Sequence, residues 1–106
     1  MLTLSSALEA AQAGQEKAME LDVHCGIAIV DAGGNTLVLL RDEQASFLMS
    51  QTSQAKAVAA VAFKCTGAAM ESFAETNPRF WATVPSIIDR AILPVTGCTP
   101  IIPSWV

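Results

Sequence analysis

The sequence predicts a small α+β protein, and three observations carry that prediction. Apolar side chains recur at helical spacing in residues 4 to 21. Two β-rich runs, residues 23 to 30 and 35 to 41, flank a double glycine. Helical character returns in residues 44 to 64, dense in alanine between 55 and 62.

In the first segment Leu4, Leu8, Ala11 and Met19 fall near one stripe, and Thr3 or Ser5 can accept orphan N–H groups at its start. Gly14 weakens its middle by about 1 kcal/mol relative to alanine. VHCGIAIV is β-branched and nearly all apolar, the pattern of a strand covered on both faces. Asp31-Ala32-Gly33-Gly34-Asn35 then supplies residues that tolerate positive φ, as a tight hairpin demands. Phosphate-cradling glycines run from a strand into a helix, with GxGxxG or GxxxxGK[ST] spacing. This pair lies between two strands and has neither spacing, so it turns the chain.

Alanine favours helix and permits close approach, so residues 44 to 64 are expected to pack against a sheet or a second copy. Thr66 is placed to cap a short helix reaching about Phe73. ETNPRFWATVPS reads as loop with one helical turn. AILPVTGCTPIIPSWV reads as short extended pieces, which its prolines confine to edge or terminal strands.

At 106 residues the chain is expected to form one domain, yet 52% of it is hydrophobic and only 15% charged. So much apolar surface is hard to hide in a small domain, and a homo-oligomer is expected. Net charge is −4 and the six Lys and Arg are scattered, which argues against nucleic acid as a partner. Glu9, Glu16, Lys17 and Glu20 interrupt the first twenty residues, so no secretory leader is expected. No apolar run approaches the roughly 20 residues that span a bilayer, so no membrane partner is expected. Cys25, Cys65 and Cys98 are odd in number and far apart, as suits buried thiols in a reducing cytoplasm. None forms a zinc-type CxxC or CxxH pair.

The order helix, VxxxxAIVDAGGNTLVLLR, then an alanine-rich helix with AKA and a following threonine, resembles the GlcG/HbpS-like family. That family includes haem-binding proteins and the C-terminal domain of PduO-type proteins. The matching positions are Ala28, Val30, Asp31, Gly33, Gly34, Leu37 and Arg41, then Ala45, Ala55, Lys56, Ala57, Phe63 and Thr66. The resemblance implies a five-stranded antiparallel sheet with flanking helices, profilin-like in layout, in symmetric oligomers. It is close over residues 3 to 66. Thr96-Gly97-Cys98-Thr99-Pro100 stands where the family has a Gly-Gly-x-Pro segment followed by two strands and a final helix. The chain thus looks short of the family's last strands.

His24 is the one histidine, and either it or Cys25 could ligate haem iron. The competing interpretation is a strand-edge histidine with a satisfied hydrogen bond. Without CxxCH, any haem would be held non-covalently. Asp31, Arg41 and Lys56 match charged family positions and could converge near a small-molecule pocket. Alternatively, Asp31 accepts N–H groups in its own turn while Arg41 and Lys56 are solvated. Asp42 and Glu43 are adjacent, and strand alternation points neighbours apart, so an acid/base dyad is not expected. No serine has a triad around it, and Phe80 and Trp81 read as covering an apolar edge.

The expectation is a cytoplasmic oligomer that binds a small molecule, with haem or another tetrapyrrole foremost. The alternative is a non-catalytic interaction module without the pocket. Enzymatic haem handling is implied by the resemblance alone.

Overall fold

The computed structural model describes residues 2–95 and residue 97. Its elements are helix α1 (Leu4–Glu20), strands β1 (Gly26–Val30) and β2 (Thr36–Arg41), and helices α2 (Phe47–Phe63), α3 (Gly67–Thr76) and α4 (Pro78–Thr83). A 3₁₀ turn, Val84–Ser86, follows α4. The class is α+β. Two compact units divide the chain, Met1–Gln54 and Ala55–Val106.

In the first unit α1 begins at a reciprocal cap. The Thr3 side chain accepts the Ser6 N–H, and Ser6 Oγ accepts the Thr3 N–H, each at 3.1 Å. One orphan donor on each side is thereby satisfied. The helix buries its small residues: Ala7 and Ala11 are fully enclosed against Val38, with Ile27, Ile29 and Leu40 packed around them. Leu4, Leu8 and Met19 of the expected stripe are exposed instead. Alanine wins the inner face because it lets the helix axis approach the hairpin closely, leaving no depth there for leucine.

β1 and β2 pair antiparallel, with Gly26 opposite Arg41 and Ile29 opposite Val38, and an irregularity between Ile29 and Val30. Ile27, Ile29, Val38 and Leu40 thus share the α1-facing side. The expectation of a strand over residues 23 to 30 is corrected: 23 to 25 precede the ladder, and β1 is only half-buried except at Val30. On the opposite face the start of α2 comes close at Gly26. A Cβ there would lie 2.6 Å from the Met49 carbonyl oxygen and 3.1 Å from Ser53 Oγ. Only glycine fits.

In the second unit Ala59, Ala60 and Met70 form a buried cluster walled by Phe63, Cys65, Trp81 and Ile92. The alanine-rich stripe therefore faces α3 within its own chain. Thr66 caps α3 as expected, its hydroxyl accepting the Ala69 N–H at 3.2 Å. Residues 75 to 86 are far more helical than the single turn expected, because Pro78 sits at the first position of α4, where its missing N–H costs nothing. Residues 91 to 95 contain no strand, and among the described residues the sheet has two strands rather than the five implied. The expected extended pieces beyond residue 95 lie outside the described residues, Gly97 excepted.

Candidate functional site

The five candidate residues divide among three places. Asp31 caps its own turn. Its Oδ1 accepts the Gly33 and Asn35 N–H groups, each at 2.9 Å, and Gly34 adopts a φ of 82°. The Asn35 backbone N–H, then the Asn35 side chain and the Gly33 N–H, hold its carboxyl below the usual carboxylate range. Asp31 is committed to the hairpin turn, at the end remote from His24.

Lys56 belongs to the second unit, on α2, and is half-buried beside Gly97. Asp31 and Arg41 stand at opposite ends of the hairpin. Asp31 and Arg41 therefore do not converge with one another.

His24, Cys25 and Arg41 do come together, and the residue joining them is Asp42. His24 Nδ1 and Asp42 Oδ2 are 2.8 Å apart. The Asp42 backbone N–H donates to the Cys25 carbonyl at 3.1 Å. Its own carbonyl accepts Arg41 Nη1 at 3.0 Å, and Nη1 also reaches the Ala45 carbonyl at 2.6 Å. Asp42 Oδ1 accepts the Gln44 N–H at 2.8 Å. Arg41 is therefore a brace for the 42–45 turn, which leads the chain from β2 towards α2.

Electrostatics follow the geometry. The hydrogen bond to Asp42, reinforced by its charge and by the more distant Asp22 and Glu43, raises the His24 pKa above an ordinary 6.5. The Gln44 N–H first, and then the His24 hydrogen bond, hold Asp42 below its ordinary 3.8. The His24 side chain is 41% exposed and that of Asp42 23%. With Nδ1 committed to the carboxylate, Nε2 is the nitrogen left to meet a ligand.

Beside the pair, Val23, Cys25, Ile27, Leu40 and Asp42 line a shallow depression with Gln15 and Ala18, with room for about one water molecule. In the second unit Phe73 packs edge to face on Phe80 and Trp81, and Phe63 lies tilted on Trp81 with centroids 4.5 Å apart. Phe63 and Trp81 wall the Met70 cluster, while Phe80, packed on Trp81, remains exposed.

Asp42 is the site residue that sequence reasoning misses, because the sequence presents it as a neighbour of Glu43 rather than as a partner of His24. The signal is the ladder: continuing the pairing of Gly26 with Arg41 outward sets residue 25 level with 42 and residue 24 level with 43, so that the Asp42-Glu43 pair lies across from His24.

An α+β domain with a helix-backed hairpin and an imidazole–carboxylate pair at its open end defines a class, and the comparisons supply its family. The family model described as haem degrading protein HbpS-like matches residues 2–105, and the chain belongs to this family. The structure of HbpS superposes with a TM-score of 0.85 and 31% identity, over 98% of this chain and 70% of that one. A double mutant of Streptomyces reticuli HbpS gives 0.84 and 31%, over 97% and 66%. Klebsiella pneumoniae protein ORFY gives 0.65 and 34%, over 67% and 49%. The chain thus spans about two thirds of the length of the HbpS chains. No curated protein matches it significantly.

As a donor for haem iron the pair fits, because an imidazole held by a carboxylate at Nδ1 offers Nε2 in a fixed orientation. Among the described residues no three of His, Cys, Asp or Glu cluster as a metal site. The depression is far too small to enclose a porphyrin, which would rest on open surface.

Proposed function

We propose that this chain is a self-associating accessory protein that binds haem non-covalently, with His24 as the iron ligand. The carrying observation is the His24–Asp42 pair in a chain of the HbpS-like family. The haem would supply a redox-active iron. The protein's part is to present Nε2 and to shield one side of the macrocycle with apolar groups such as Val23, exposed beside His24. Cys25 would not be the ligand: it is half-buried and lines the depression, whereas a thiolate ligand must reach the iron. We place the protein in the cytoplasm on its composition and its free thiols Cys25 and Cys65.

Self-association is supported by the apolar side chains the first unit leaves exposed: Leu4, Leu8, Met19, Leu21, Phe47 and Leu48. A second copy laid on such a surface would also supply the missing wall for an open-faced haem. The second reading, a non-catalytic interaction module, is favoured by one observation, the absence of a porphyrin-sized cavity among the described residues.

Hemin titration of the purified protein separates them. The haem reading expects a saturable Soret shift that His24→Ala abolishes or alters and Cys25→Ala preserves. If wild type and His24→Ala share one weak, featureless spectrum, His24 is a structural residue and the interaction module stands.

A further inference from the structure

We propose that residues 99–103, TPIIP, dock in extended form on the Phe73, Phe80 and Trp81 rings of their own chain. One backbone carbonyl of that segment accepts the Trp81 indole N–H. Trp81 Nε1 is buried and has no hydrogen-bond partner among the described residues. A buried donor left unpaired is costly, and an indole N–H can only donate, so it calls for an acceptor. Water does not reach the atom, which leaves an oxygen of the protein itself.

The rings beside it form a platform. Phe73, Phe80 and Trp81 meet one another at interplanar angles of 81–83°, with centroids 5.5–6.2 Å apart. Phe73 is 51% exposed and Phe80 45%. An aromatic-lined surface of this kind suits extended, proline-rich segments. Residues 99–103 have the matching chemistry. Pro100 and Pro103 fix their own φ and press Thr99 and Ile102 towards extended backbone. A polyproline-like segment makes no internal hydrogen bonds, so its carbonyls are left for other donors.

The path of the chain favours this occupant over a second copy. Ile92 packs on the Met70 cluster that Trp81 also walls, and the Leu93 N–H donates to the Ala55 carbonyl at 3.1 Å. Gly97 lies against Lys56, the next residue of α2. The segment that follows therefore starts beside the second unit's own core. Residues 98–106 reach up to ~30 Å when extended. They carry no charged side chain, and Ile101 and Ile102 suit an apolar platform.

The test is NMR of the full-length ¹⁵N-labelled protein, whose two indole N–H groups belong to Trp81 and Trp105. Trp81 Hε1 should show nuclear Overhauser contacts to protons of residues 99–103 and exchange slowly with solvent. Ile101→Asp combined with Ile102→Asp should accelerate that exchange about tenfold, the weight of one hydrogen bond. Phe80→Ala, on the receiving side, should do the same. Contacts from Trp81 Hε1 to ring protons alone, with exchange unchanged in both variants, would overturn the docking. So would protection lost on dilution, which would assign the segment to a second copy instead. The contacts are read in wild type, so the outcome stands even where a variant fails to fold.

Discussion

At the scale of single residues, the His24–Asp42 pair makes opposing demands on pH. A raised His24 pKa contributes stability that is fully present below an imidazole's ordinary 6.5 and is lost as pH rises through the folded value. A lowered Asp42 pKa contributes stability present above an ordinary 3.8 and lost as pH falls through its folded value. The pair therefore stabilises most between those two values. Melting temperatures of wild type and Asp42→Asn should differ most near pH 5 to 6 and converge as pH rises through the folded His24 value. The gap should also narrow in high salt, because the pair is partly exposed. A gap that grows with pH would contradict the ion pair. Iron needs the neutral ring instead, so hemin affinity should decline on acidification from above pH 6.5 downward, earlier than for an isolated histidine.

Two glycines give residue-scale predictions of different kinds. Gly34 has φ 82°, where a β-branched side chain is a backbone outlier. Gly34→Val should cost at least about 1 kcal/mol in chemical denaturation. Gly26 is constrained by space, since a methyl group would strike the Met49 carbonyl. Gly26→Ala should cost about 1–3 kcal/mol as α2 is pushed off the hairpin. Equal stability of either variant and wild type would remove the corresponding explanation.

At the scale of elements, α1 and α2 both show small residues taking the inner positions. α1 packs Ala7 and Ala11 on the hairpin and turns its leucines outward. α2 buries Ala59 and Ala60 against Met70. Ala59→Asp should therefore unfold the second unit's core, costing several kcal/mol for a buried unpaired charge. The readout is the melting temperature and the near-ultraviolet signal of Trp81, which lies in that cluster. Retention of both would show that the alanine face is not core. The periodicity of α1 is legible in the sequence, but which of its faces turns inward is not. Helical spacing alone cannot distinguish a leucine stripe from an adjacent alanine stripe, because the choice depends on how closely the partner surface approaches. For α4, proline signals a break in the sequence, whereas the fold uses Pro78 as a start.

At the scale of the whole molecule, the exposed apolar residues of the first unit predict self-association. Light scattering at micromolar concentration should report at least a dimer. Replacing Phe47 and Leu48 by glutamate should shift the protein towards monomer with little loss of monomer stability, since both side chains are exposed. A wild type that is monomeric at that concentration would remove the second wall that the haem proposal needs. Among the described residues no single helix is long and apolar enough to cross a membrane.

The sequence by itself determined the α+β class, the hairpin, the Asp31–Gly34 turn and the caps at Thr3 and Thr66. These are local properties, set by backbone conformation and by side chains within a few residues. The hairpin register also brings an acidic pair, Asp42-Glu43, across from His24. Regular alternation would set residue 24 level with residue 43, whereas the ladder ends at Gly26. Beyond that point the chain leaves the strand geometry, and the imidazole turns to Asp42, whose other oxygen the Gln44 N–H already holds. That choice belongs to the tertiary structure, because it is made by hydrogen bonds between segments 18 residues apart. Such a bond leaves no trace in local propensity.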